Sequence, residues 1–194
     1  MDRALVTGTK GTVPPGLVSL FKDPPLVGDE KREDYDNLFS AVAAAIKPND
    51  AIVWLLARDF TDLTWDIRRE KNFKVRIIKL AQSEVICRLI IYNIGGLDLP
   101  SSREQIAEMW AANAEFRLPI ENSLAKNGYD ASYIMTQALK LAASQFEAID
   151  RRIGTFEQRR RSVMRDIEQY SEASARRLAA SADVIEGQFT EAAE

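Results

Sequence analysis

The sequence predicts an all-α fold: two long helices paired antiparallel as a hairpin or coiled coil, shorter helices packed against them, and an irregular N-terminal arm. Three observations point to it. No run shows the strict apolar–polar alternation of a half-buried strand. No proline or glycine falls between Pro48 and Gly95, so one helix has room to run almost uninterrupted. Finally, Phe146, Ile149, Ile153, Phe156, Arg160, Val163, Ile167 and Tyr170 recur at alternating steps of three and four, the seam of a heptad, broken in type only by Arg160.

Residues 1–30 read as the arm. Gly8, Gly11, Gly16 and Gly28 alternate with the pairs Pro14, Pro15 and Pro24, Pro25, which remove backbone donors and disfavour helix before them. Val13, Leu17, Val18, Leu20, Phe21, Leu26 and Val27 give the arm more apolar character than a solvated tail carries, so it should lie on a helical surface of its own chain or of a neighbour. TGTKGT at 7–12 lacks the GxxxxGK[ST] spacing and the following helix of a phosphate loop, and reads as a turn.

A first helix is expected over 31–47. Tyr35, Leu38, Phe39, Val42 and Ile46 share one face, acidic residues crowd its start, and Pro48 stops it. A second begins near Asn49 or Asp50, both good N-caps. If unbroken to Gly95 it spans about 45 residues, roughly 68 Å at 1.5 Å per residue. GGLDLP at 95–100 is a break, and Ser101 with Glu104, and Ser102 with Gln105, match capping boxes. A shorter helix follows to about residue 116, with Ile106, Met109, Trp110 and Asn113 on one face. Pro119 should interrupt it, and a brief helix should then end at Gly128. Asp130 caps the last helix, expected to about residue 185, with Gly154 inside it as a kink or a close helix crossing. The domain reading is 1–30 arm, 31–189 one helical domain, and 190–194 an acidic tail.

Composition excludes more than it assigns. Of the 194 residues, 26 are basic and 29 acidic, for a net charge of −3, so bulk charge announces neither a nucleic-acid nor a membrane surface. The chain has no histidine, which removes histidine-based triads, HExxH zinc sites and an imidazole proton shuttle. The single cysteine, Cys87, permits no intrachain disulfide and reads as a small buried hydrophobe. The N-terminal stretch lacks a signal-peptide core, and no apolar run approaches the ~20 residues of a membrane span, so the expected location is the cytoplasm.

Three constellations carry possible chemistry. Asp59, Asp62 and Asp66 share a helix face and supply the carboxylates a hard cation uses, but ligands on one straight helix converge poorly. The simpler expectation is pairing with Arg58, Arg68 and Arg69 at helical spacing, such as Arg58–Asp62. RREKNFKVRIIK at 68–79 and RRIGTFEQRRRSVMR at 151–165 each hold six bases against one acid. In an antiparallel hairpin their positions meet. Arg68, Arg69, Lys71, Lys74, Arg159, Arg160, Arg161 and Arg165 are then candidates for binding a polyanion, unless acids compensate them. Trp54, Trp65 and Trp110 read as core or interface anchors rather than stacking residues. Phe146, Ile149, Ile153, Phe156, Val163, Ile167 and Tyr170 are the candidate interface.

GDEKREDYDNLFSAV, KPND, ARDFTDLTWDIRRE, NGYDASYIMTQAL and FEAIDRRIGTFEQRRRSVMRDIEQY together resemble a family of bacterial, alphaproteobacterial-type helical proteins with a D-x-x-D-L-T-W-[DE]-I-x-R core and no established activity. The resemblance covers roughly 28–170. Asp66 stands where that family commonly has glutamate, and Asn72 and Phe73 interrupt a stretch that is usually more basic. It implies no catalytic residue, cofactor or metal. The functional expectation is a non-enzymatic, self-associating scaffold whose partner is a second copy or another coiled coil. A nucleic-acid accessory protein using the basic clusters is the first alternative, and a carboxylate–metal enzyme at Asp59, Asp62 and Asp66 the second.

Overall fold

A computed structural model describes the backbone of residues 13–93, 105, 109–110 and 113–191. The fold is all-α, with no strand among the described residues. A 3₁₀ turn at Pro15–Leu17 leads into α1 (Val18–Phe21), followed by α2 (Arg32–Ile46), α3 (Ala51–Asn93), α4 (Ala114–Lys126) and α5 (Ala131–Glu191). The chain divides into two compact units, Met1–Ile67 with Gly154–Glu194 and Arg68–Ile153, so both long helices contribute to each.

The first unit is organised by aromatic packing. α2 and α3 are joined by a tight turn. Lys47 takes a left-handed conformation (φ 53°), its N–H bonds back to the Ala43 carbonyl, and Pro48 prevents further helix. Asp50 then caps α3, its Oδ1 accepting from the N–H groups of Ile52 and Val53 at 2.9 and 3.0 Å. The turn folds α2 back along α3, which brings Tyr35 against Trp65 edge-on at 5.5 Å and Phe39 to Trp54 at 6.1 Å between ring centroids. Phe21 enters this cluster from the arm, 5.4 Å from Phe39 and 6.3 Å from Trp54. Tilted and edge-on pairs at these distances each add about 0.5–1.5 kcal/mol beyond area burial. Val13, Leu17 and Leu26 pack against the same cluster. Residues 13–30 of the arm thus dock in cis, on the chain's own α2 and α3.

In the second unit α3, α4 and α5 surround one core: Val85, Ile86, Cys87 and Ile90 from α3, Ile120 and Leu124 from α4, and Ile134 and Ala138 from α5, with Trp110. Cys87 is buried there outside any disulfide, and all three tryptophans are core residues. The α3 and α5 segments of this unit run antiparallel, since Lys74 meets Asp150 while Gln82 meets Met135. α4 ends where Gly128 turns left-handed (φ 85°), and Asp130 Oδ1 accepts from the Tyr133 N–H at 2.8 Å to start α5.

The heptad seam of α5 points inward. Ile149 and Ile167 are 2% and 6% exposed, and Phe146, Ile153, Phe156, Arg160, Val163 and Tyr170 are half-buried. Three local expectations are corrected. Pro119 does not interrupt its helix: it sits within α4, where its missing N–H costs a single bond and its ring faces solvent. The break falls instead at Asn113, whose carbonyl oxygen Oδ1 caps α4 by accepting from the Glu115 N–H at 2.9 Å. Gly154 marks no close crossing, because nothing lies within 4 Å of a Cβ built there, and α5 runs on past residue 185 to Glu191. The TGTKGT stretch, the GGLDLP break and the expected capping serines lie outside the described residues.

Gly154 is exposed within a helix and has open space around it, so Gly154→Ala should stabilise the chain by about 1 kcal/mol through helix propensity. Equilibrium denaturation, read as a higher midpoint at unchanged slope, checks this.

Candidate functional site

The richest polar constellation gathers around Arg58 in the first unit. Its helix position turns the guanidinium toward both α2 and the arm. The Arg58 Nε donates to both oxygens of Asp62, at 3.1 and 3.2 Å, and Nη2 donates to the Asp23 carbonyl at 3.2 Å. The cation lies 5.5 Å from the Phe21 ring centroid and 5.3 Å from that of Tyr35. The Tyr35 hydroxyl donates to Asp62 Oδ1. One turn further along α3, the Trp65 indole N–H donates to Glu30 Oε2 at 2.9 Å, and that oxygen also accepts the Val27 N–H at 3.0 Å.

This arrangement fastens the arm. The expected Arg58–Asp62 pair forms, with the Arg58 side chain only 11% exposed and that of Asp62 31%. Burial holds the Tyr35 phenol well above its usual pKa, and Asp62 beside it pushes the same way. Tyr35 is therefore kept as a hydrogen-bond donor. Asp59 differs from Asp62: partial burial raises its carboxyl, the neighbouring Asp62 adds to that, and Arg159 and Arg58 pull it back. Among the described residues no three Asp, Glu or Cys side chains are grouped so as to hold a metal ion. Sequence reasoning placed Tyr35, Asp62 and Trp65 on their helices and paired Asp62 with Arg58, but did not join Tyr35 to Asp62 or Trp65 to Glu30. The signal it lacked was the return of the arm.

The basic clusters are partly answered by acids within the second unit. Lys74 Nζ bonds both oxygens of Asp150 at 2.8 and 2.9 Å and lies 4.9 Å from the Phe146 ring centroid. Arg152 forks onto Glu70 at 2.7 and 2.9 Å. Glu70 is itself nearly buried, at 9% exposure, so it needs this bidentate cation. The lone acid within the first cluster is thus paired with a base of the second. Arg68 and Lys71 are exposed and Arg69 is half-buried. In the first unit, Arg160 is half-buried with its guanidinium 5.9 Å from the Phe60 ring centroid, which explains how a base occupies an apolar seam position. Arg159, Arg161 and Arg165 are exposed on α5.

No described helix is long and apolar enough to cross a membrane. No family model, curated protein or solved structure matches this chain.

The two aspartates should respond oppositely to loss of charge. Asp62→Ala strands Arg58 and the Tyr35 hydroxyl and should cost about 2 kcal/mol, measured by denaturation at neutral pH. Asp59 has a raised pKa in the fold, so its contribution is fully favourable only below the usual value of 3.8 and is lost as pH rises through the folded value. Asp59→Asn should therefore match or exceed the parent at pH 7, and the difference should vanish in acid. By the same sign rule, the raised Tyr35 pKa favours folding below the usual value of 10.0 and ceases to do so as pH climbs above it. Tyr35→Phe should flatten the alkaline loss of stability, checked by melts between pH 8 and pH 11.

Proposed function

We propose that this chain is a non-enzymatic scaffold protein that self-associates, acting in the cytoplasm. The observation that carries the reading is its exposed apolar surface. Fifteen large hydrophobic side chains among the described residues are at least one-third exposed, led by Leu80 at 71% and Leu20 at 61%, and Leu80, Tyr133 and Leu141 line adjoining depressions. The polar side chains best placed for chemistry, meanwhile, are spent on the fold: Asp62 on Tyr35 and Arg58, Glu70 on Arg152, and Asp150 on Lys74. Of the candidate interface, Ile149 and Ile167 are already covered within the single chain, so association draws on the half-buried remainder of the seam and on other exposed apolar faces.

A second reading, binding of a nucleic acid, is supported by the exposed Arg159, Arg161 and Arg165, which lie within two turns of one helix. Such binding is dominated by phosphate contacts and weakens steeply with salt.

Sedimentation equilibrium on the full chain should give a mass of two copies or more. A strict monomer at about 100 µM, a concentration at which even a ~10 µM dimer would be populated, overturns the scaffold reading. Titration of labelled duplex and single-stranded oligonucleotides at 50 mM salt tests the second: binding that is abolished by Arg159→Glu with Arg161→Glu supports it, and no binding removes it.

A further inference from the structure

The second unit carries a two-helix groove that the intrachain core does not fill. On α3, Phe73, Ile77, Leu80, Glu84 and Arg88 follow at steps of four, three, four and four. On α5, Tyr133, Gln137, Leu141 and Gln145 follow at steps of four. Both rows lie on single helix faces. Two depressions open between them. One, about 160 Å³, is lined by Val85, Arg88, Leu89, Tyr133, Gln137 and Leu141. The other, about 320 Å³, is lined in part by Ile77, Leu80, Ala81 and Glu84 and shares Arg88 and Leu141 with the first.

We propose that this groove is a homodimer interface in which a second copy lies antiparallel, each Leu80 entering the smaller depression of its partner; the proposal rests on the self-association reading and names the surface. Three features select a second copy as the occupant. The first is shape. Leu80 is the most exposed large apolar side chain described, at 71%, and the hole that would take it lies between one and three turns further along the same groove. A twofold axis between knob and hole sets each knob into the other copy's hole, the reciprocal contact that an isologous interface requires.

The second is charge. Among the described residues, the charged side chains lining the depressions are Glu84 and Arg88, paired at 2.8 Å and 42% and 51% exposed. A strongly acidic or basic partner would meet a like charge, whereas an antiparallel copy, with the axis passing near Glu84, brings the partner's Arg88 about one turn from Glu84, within reach of its long side chain. The third is area. Phe73, Leu80, Tyr133 and Leu141 are 36%, 71%, 38% and 40% exposed. At about 200 Å² for a large side chain, they offer on the order of 400 Å² of apolar surface per copy. A standard interface of ~800 Å² per partner, a little over half apolar, needs about that much.

The test is sedimentation equilibrium of the full chain with four single variants, supported by far-UV circular dichroism. Leu80→Glu and Leu141→Glu should weaken dimerisation at least 100-fold with helicity retained, since both positions are exposed. Glu84→Arg and Arg88→Glu should each weaken it, because each makes every cross-copy pair like-charged. An equimolar mixture of those two chains should recover dimers, since one brings two bases and the other two acids. A monomeric parent chain overturns the self-association reading and this proposal together. A parent oligomer untouched by Leu80→Glu and Leu141→Glu overturns the groove alone. Loss of dimer in the single charge variants without recovery on mixing overturns the antiparallel arrangement.

Discussion

Arg58 is the residue on which the first unit depends. A guanidinium that is 11% exposed must find acceptors and aromatic faces for its charge, because removing a cation from water without them costs several kcal/mol. It finds them on three separate parts of the chain: Asp62 one turn along its own helix, the Asp23 carbonyl and the Phe21 ring in the arm, and the Tyr35 ring on α2. The planar fork of arginine serves this role in a way lysine could not, since it bonds at its edge while stacking on its faces. The arm's return, the angle of α2 and the burial of Tyr35 are all conditions for that one cation being satisfied.

The second unit solves a different problem. A heptad seam specifies that two helices pair but leaves their register open to slips of one heptad. Glu70 with Arg152 and Lys74 with Asp150 are successive rungs across α3 and α5, and a slip would leave a nearly buried Glu70 without its cation. Buried or half-buried ion pairs contribute little net stability, but breaking one is costly, which makes them good register marks. Their sequence positions, each an acid in or beside a run of bases, follow from that duty.

Much of this was legible from spacing alone. The two long helices, the caps at Asp50 and Asp130, the stop at Gly128, the buried Cys87 and the three core tryptophans all follow from rules that act within one or two helical turns. What spacing could not supply was the identity of the group opposite. Asp59, Asp62 and Asp66 look equivalent along one face, yet only Asp62 receives Tyr35, 27 residues away in the chain. The basic clusters looked uncompensated because their partners, Glu70 and Asp150, were counted in or beside the bases of their own helix and not against those of the other. Pro119 misled for a related reason. A proline's cost depends on which carbonyl it orphans and whether its ring has room, and both are tertiary facts. The docking of the arm lay beyond local rules altogether, since a turn-rich, apolar segment reads the same whether it covers its own chain or another.

The distribution of the three tryptophans has a practical consequence. Trp54 and Trp65 belong to the aromatic cluster of the first unit, and Trp110 lies in the core of the second with a guanidinium 5.0 Å from its ring centroid. Indole emission shifts when water reaches the ring, so each unit contains its own optical reporter. The native chain already carries the spectroscopic labels needed to ask whether its two halves melt together or in sequence, with one tryptophan-to-phenylalanine replacement silencing the second reporter.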